Sequence, residues 1–184
     1  MKLNTTKLNT LLAETGRTPE DLASALPRAQ GSQKKLDEAT KAVRNWLRGA
    51  EHPRCTASDA AAMAGVLGVQ VRDIARFQTQ ARWVRSSPQK ARLLAELIRG
   101  KRVDEADMLL EFNCRRASKM VRKALRTAIA DAEQADARVE RLVVTEARVD
   151  QGVIIKRFQP KDRGRAHRIQ KKTSHITIGV EEIA

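Results

Sequence analysis

"LVVTEARVDQGVIIKRFQPKDRGRAHRIQKKTSHITIGVEE", residues 142–182, is the stretch whose reading decides the fold. At its front the apolar period changes from about 3.6 to 2. Val143, Thr145, Ala147 and Val149 alternate there with Leu142, Val144 and Glu146. At its end Ile176, Ile178 and Val180 alternate again, so the spacing predicts strands from 142 onward and over 175–181. Between them lie 25 residues, 150–174, far more than an ordinary hairpin loop. This insert carries eight Lys or Arg from Lys156 to Lys172 against one acid, Asp162. Its core-forming side chains are few: Val153, Ile154, Ile155, Phe158 and Ile169. Extended as two arms of about ten residues each, it would project roughly 33 Å from the sheet. A lone two-stranded ribbon is marginal in water, so the segment is either disordered or held from outside the chain.

Working back from the strands, the preceding segments read as helices. Ser87-Pro88 gives a cap-plus-proline start, with Ala91, Leu94, Ala95 and Ile98 on one face and Gly100 as the stop. Residues 103–111 make a short helix and residues 115–135 a long one. Helices followed by two strands define an α+β domain.

The first 78 residues read as short helices joined by turns. Leu8, Leu11 and Leu12 share a face that Gly16 closes. Thr18-Pro19-Glu20-Asp21 opens a second helix, with Thr18 as N-cap. After the polar stretch PRAQGSQKK a third helix spans 36–48, with Ala39, Val43, Trp46 and Leu47 apolar. Two more fit residues 57–67, closed by Gly68, and 71–77. Residues 78–80 are the junction, too short for a free linker. The division is therefore a helical domain over 1–78 and a second domain over 79–184, with the basic arm at about 150–175.

The 184 residues hold 36 basic and 22 acidic side chains, a formal net charge of +14. Such a balance selects polyanionic partners rather than a fold. It is uneven: residues 1–80 hold 12 basic and 8 acidic side chains, residues 81–184 hold 24 and 14. No run approaches the roughly 18–20 apolar residues of a membrane span, and MKLNTTKLNT lacks the apolar core of a signal peptide. Cys55 and Cys114, in different halves, read as reduced thiols of a cytosolic protein.

The cations come from three segments. Arg115, Lys119, Arg122 and Arg126 recur at i, i+4, i+7 and i+11, one stripe opposite Ala117, Val121, Ala124, Leu125, Ala128 and Ala132. A solvated face would interleave acids at i±4, and none occurs between residues 115 and 130. Arg82, Arg85, Lys90, Arg92, Arg99, Lys101 and Arg102 surround the helix that Ser87 opens, and the arm supplies the third group. Three separated segments imply a folded body against a structured polyanion, and a projecting ribbon suits RNA read by shape and phosphate.

Catalysis finds no constellation. His52, His167 and His175 lack a neighbouring acid or Ser at triad spacing, and structural or phosphate-contacting roles fit them. His52-Pro53-Arg54-Cys55 is half of a metal site without a second pair at ligand spacing. Neither GxxxxGK[ST] nor GxGxxG occurs, so the reading is a non-enzyme without metal or cofactor.

From residue 81 the sequence closely resembles the bacterial ribosomal large-subunit protein twenty-two family. The matching blocks are "ARWVRSSPQKARLLAELIRGKRVDEA", "VRKALRTAIADAE", "VTEARVDQG" and "KRFQPKDRGRAHRIQKKTSHITI". The resemblance implies an α+β body, three helices on a small sheet with a long β-hairpin. That body binds large-subunit (23S-type) rRNA and supports subunit assembly, while the hairpin tip lines the nascent-peptide exit tunnel. It also implies neighbouring ribosomal proteins and the nascent peptide as partners, no membrane, and a cytoplasmic place in the large subunit. Residue by residue, it assigns Arg85, Lys90 and Arg92 to RNA contacts. It places Lys156, Arg157, Arg163, Gly164, Arg165, Arg168, Lys171 and Lys172 in the hairpin. The tip is then Pro160, Lys161, Asp162, Arg163, Gly164, Arg165 and Ala166. Asp162 stands where that family usually has a basic or neutral residue, and Asp131 replaces a customary Asn.

Residues 1–78 fall outside that likeness. They resemble the helix-turn-helix domain of phage-repressor-type DNA-binding proteins through "TPEDLASAL", "AVRNWLRG" and "SDAAAMAGVLGVQVRDI". This resemblance implies an all-α domain with Lys41 and Arg44 on a recognition helix and Arg48 near its end. About ten residues around PRAQGSQKK replace the tight turn between its second and third helices. Two roles stay open for this half: a DNA-binding regulator or dual-role protein, and an extension that packs on the ribosome or contacts RNA.

Overall fold

The computed structural model describes residues 2–50 and 52–183 and divides after Phe77 into two compact units. In the first, α1 (Thr5–Thr15) ends on Gly16, whose φ of 62° supplies the left-handed turn that a side chain would resist. Thr18 caps α2 (Pro19–Ala25) through a reciprocal capping box with Asp21. The next helix, α3 (Gln33–Leu47), begins three residues before the predicted start. The connection from α2 is therefore seven residues, 26–32, rather than ten, and it holds a 3-10 turn at Pro27–Ala29. Then come α4 (Ala57–Leu67), closed by Gly68, and the single turn α5 (Val71–Ile74).

Leu8, Leu22, Leu26, Val43, Trp46, Met63 and Ile74 form the core of this unit. The Arg28 guanidinium lies 5.1 Å from the Trp46 ring centroid and pairs with Asp59, which is 2% exposed. Burial alone would raise the Asp59 carboxyl. Hydrogen bonds from Arg28 and Thr56 outweigh it and hold the group below the ordinary carboxylate value. Cys55 and Cys114 are free thiols, the first buried and the second exposed.

Two expectations fail here. The predicted helix over 71–77 stops at Ile74, and residues 75–84 form β2 (Ala75–Val84). The junction at 78–80 thus lies inside a strand. Nor is the first unit all-α. The two-residue strand β1 (Lys2–Leu3) pairs antiparallel with the start of β2, Lys2 opposite Arg76 and Leu3 opposite Ala75.

The second unit is α+β. Its helices are α6 (Pro88–Ile98), α7 (Val103–Glu111) and α8 (Arg116–Glu133). The strands are β3 (Leu142–Gln151), β4 (Ile155–Pro160), β5 (Ala166–Lys171) and β6 (Ser174–Glu182), with β6 between β2 and β3. β3 pairs antiparallel with β6 from Leu142 opposite Glu182 to Gln151 opposite Ser174. The register slips between Val144 and Glu146, so strict alternation from Val143 to Val149 does not hold. Leu142 and Val144 point inward before the bulge at Thr145, and Ala147 and Val149 after it. One extra residue shifts the inward phase by one. The outer edge of β3 is covered by the α6–α7 connection. Gly100 N–H donates to Val144 O at 2.8 Å, and Val144 N–H donates to Lys101 O at 3.0 Å.

Candidate nucleic-acid interface

The insert between β3 and β6 forms a regular ribbon. β4 and β5 pair antiparallel from Ile155 opposite Lys171 to Pro160 opposite Ala166, and every residue from Lys156 to Arg168 is exposed. Its strands are six residues long, not about ten. At the tip a 3-10 turn, Asp162–Gly164, places Arg163 and Gly164 at φ of 55° and 72°. The turn is closed by Lys161 N–H donating to Arg165 O at 2.7 Å. Phe158, 75% exposed, sits opposite Arg168 without an apolar cover.

The root of the ribbon is closely packed. Gly152 N–H donates to Thr173 O at 2.9 Å, and the buried Thr173 hydroxyl donates to Val153 O at 2.7 Å. Trp83 has a φ of 59°, unusual for a bulky residue. Its N–H donates to His175 Nδ1 at 3.2 Å, and the two rings meet edge-on at 4.8 Å. His175 is therefore a root residue.

Beside this root lies a cleft of about 410 Å³ lined by Arg85, Ser86, Ser87, Arg116, Gln170, Lys171 and Lys172. The loop before α6, the start of α8 and the end of β5 meet there. The first turns of α6 and α8 contain no acid. A helix start ordinarily favours acids, because its unsatisfied N–H groups carry partial positive charge. Cations placed there add to that charge, an arrangement suited to an anion. Arg85, Arg116, Lys171 and Lys172 have no carboxylate in ion-pair range among the described residues. Arg116 was missed by the stripe reading, since it lies one position off that stripe. Its signal was a second cation at a helix start that lacks acids.

The stripe itself is not uniformly available. Arg122 donates through Nε and Nη2 to Asp107 at 2.8 and 2.9 Å and reaches Glu111 at 2.9 Å. Arg126 bridges the same Asp107 at 3.2 and 3.1 Å. Led by the Arg122 hydrogen bonds, these contacts hold Asp107 down at about 2. The answering acids sit on α7, outside the i±4 window in which their absence was read. Arg115 and Lys119 remain exposed, without an acid partner among the described residues.

Two other predicted contacts are partly committed to the fold. Arg92 Nε donates to Val149 O at 3.2 Å and Arg99 Nη2 to Ala147 O at 2.6 Å, capping the edge of β3. Arg82 donates to Gln80 at 2.9 Å, while Lys90 is exposed and Lys101 half-buried. In the first unit Lys41 and Arg48 are exposed, Lys41 shares α3 with the exposed acids Asp37 and Glu38, and Arg44 faces Glu20 at 3.3 Å. Among the described residues no cluster of His, Cys, Asp or Glu could hold a metal ion, and no helix is long and apolar enough to cross a membrane.

An α+β body with a projecting basic ribbon and a cationic cleft at its root presents a surface suited to an extended polyanion. The chain belongs to the ribosomal protein L22p/L17e family, whose model matches residues 79–181. This is a family of structural proteins rather than enzymes. Among curated relatives, the "Large ribosomal subunit protein uL22" of Methylocella silvestris is 51% identical over 105 residues. The match covers 56% of this chain and 82% of that relative. Residues 1–78 lie outside the family match.

Proposed function

We propose that this chain is a structural constituent of the large ribosomal subunit, in the cytoplasm, and that its second unit binds large-subunit rRNA and supports assembly. The observation that carries the reading is the set of cations left without acids at the ribbon root: Arg85, Arg116, Lys171 and Lys172 from three separated segments. Lys156, Arg157, Lys161, Arg163, Arg165 and Arg168 extend the surface along a ribbon with no core of its own. Phosphates supply the missing counter-charges, and the length of that interface favours RNA over a small anion. The ribbon tip, residues 160–166, faces the nascent-peptide exit tunnel, with Asp162 as its single acid. The first unit is a separate helix-turn-helix-like module whose Lys41, Arg44 and Arg48 add a nucleic-acid contact of their own.

Sedimentation tests this reading. In a lysate at ordinary salt the chain should travel almost entirely with large subunits and leave them in high salt. A chain found mainly in light fractions, or on DNA, would remove the ribosomal reading.

A further inference from the structure

The helix α7 is apolar on two sides. Val103, Ala106 and Leu110 face the core. At 100° per residue, Met108 and Phe112 fall on the opposite side, with Glu105 next to Phe112 and Asp104, Glu111 and Leu109 at the margins. Phe112 is 83% exposed, Met108 54% and Leu109 37%. A helix in a globular domain turns one apolar stripe inward and a polar face outward, so a second apolar face marks a surface that something covers.

The charges around this face identify the kind of occupant. Asp104 and Glu105 are exposed and pair with no cation among the described residues, and Glu111 is half-exposed beside Arg122. This acidic face belongs to a stretch, residues 81–184, in which 24 basic side chains outnumber 14 acidic ones. RNA phosphates would meet like charge here, as would a second copy of the same face. A lipid surface would have to desolvate the carboxylates.

We infer that the outer face of α7 is a protein-docking surface for a basic polypeptide that seats apolar side chains against Met108 and Phe112 and sets Lys or Arg beside Asp104 and Glu105. It separates the domain into an RNA face at the ribbon root and a protein face on α7. The inference rests on the ribosomal reading only in where the partner is sought.

The test uses the full chain in purified large subunits, with Phe112→p-benzoylphenylalanine as photocrosslinker and the same replacement at Arg85 as reference. The expected product at position 112 is a polypeptide crosslink mapped to a Lys/Arg-rich segment. With Asp104→Asn and Glu105→Gln, which keep side-chain size, its yield should fall roughly tenfold while the position 85 crosslink to rRNA stays unchanged. A position 112 crosslink to rRNA or to another copy of the chain overturns the inference. So does no crosslink, or a yield indifferent to the two neutralisations. If position 112 gives the charge-dependent basic partner while position 85 fails to reach rRNA, the docking face stands and the RNA reading fails.

Discussion

At Gly152 the ribbon root permits only a hydrogen as side chain. A Cβ there would lie 2.5 Å from Thr173 Oγ1, 3.2 Å from His175 Nε2 and 3.3 Å from the Thr173 carbonyl carbon. The Thr173 hydroxyl is buried and bonded to Val153 O, so yielding means losing that bond. Gly152→Ala should therefore cost about 1–3 kcal/mol in urea denaturation followed by circular dichroism. An unchanged midpoint would show that the root relaxes around a methyl group. Single residues also mark the limit of sequence reading. Thr18, Pro19 and Gly16 announce their caps by type, because each satisfies a local backbone need. Arg116 shows in the sequence only as a second cation at a helix start without acids, because the other cations of its cleft, Arg85, Lys171 and Lys172, are brought to it by the fold.

Among the elements, α7 and α8 are bracketed by Asp107. Its folded pKa lies below the ordinary carboxylate value, so the stabilisation is complete above about pH 4 and is lost as pH falls toward 2. Asp107→Asn should cost about 1–2 kcal/mol at pH 7, with the difference from the parent shrinking steadily as pH falls from about 4 through 2. A difference constant over that range would contradict the bracket. The paired ribbon strands β4 and β5 behave differently. They have a complete ladder and no side-chain core, so amides over 155–171 should exchange rapidly in the free protein and slowly once RNA is bound. Strong protection in the free chain would show that the ribbon stabilises itself. The buried faces of α6 and α8 were legible from periodicity. β2 was not: Ala75 and Phe77 are buried, but Gln78, Thr79 and Gln80 look like a turn until the neighbouring strands pair with them. The bulge at Thr145 is likewise set by pairing with β6, not by local pattern.

For the whole molecule, the charge divides unevenly: residues 1–80 hold 12 basic and 8 acidic side chains, residues 81–184 hold 24 and 14. The first unit's candidate contacts are tempered by its own acids, Glu20 beside Arg44 and Asp37 and Glu38 near Lys41. Lys41→Gln with Arg44→Gln should leave rRNA affinity within about twofold of the parent, since phosphate contacts are made by the second unit. A loss matching that of the cleft variant described next would merge the two units into one interface. If rRNA phosphates answer the cations the fold leaves without acids, affinity must fall steeply with salt. The direct measurement is affinity of the full chain for large-subunit rRNA against salt, for the parent and for Arg85, Arg116, Lys171 and Lys172 all changed to Gln. With six or more phosphates neutralised, the parent should give a log–log slope of roughly −4 or steeper, and the variant a slope shallower by roughly 2–3. A parent slope near zero, or a variant slope equal to the parent's, would contradict the account.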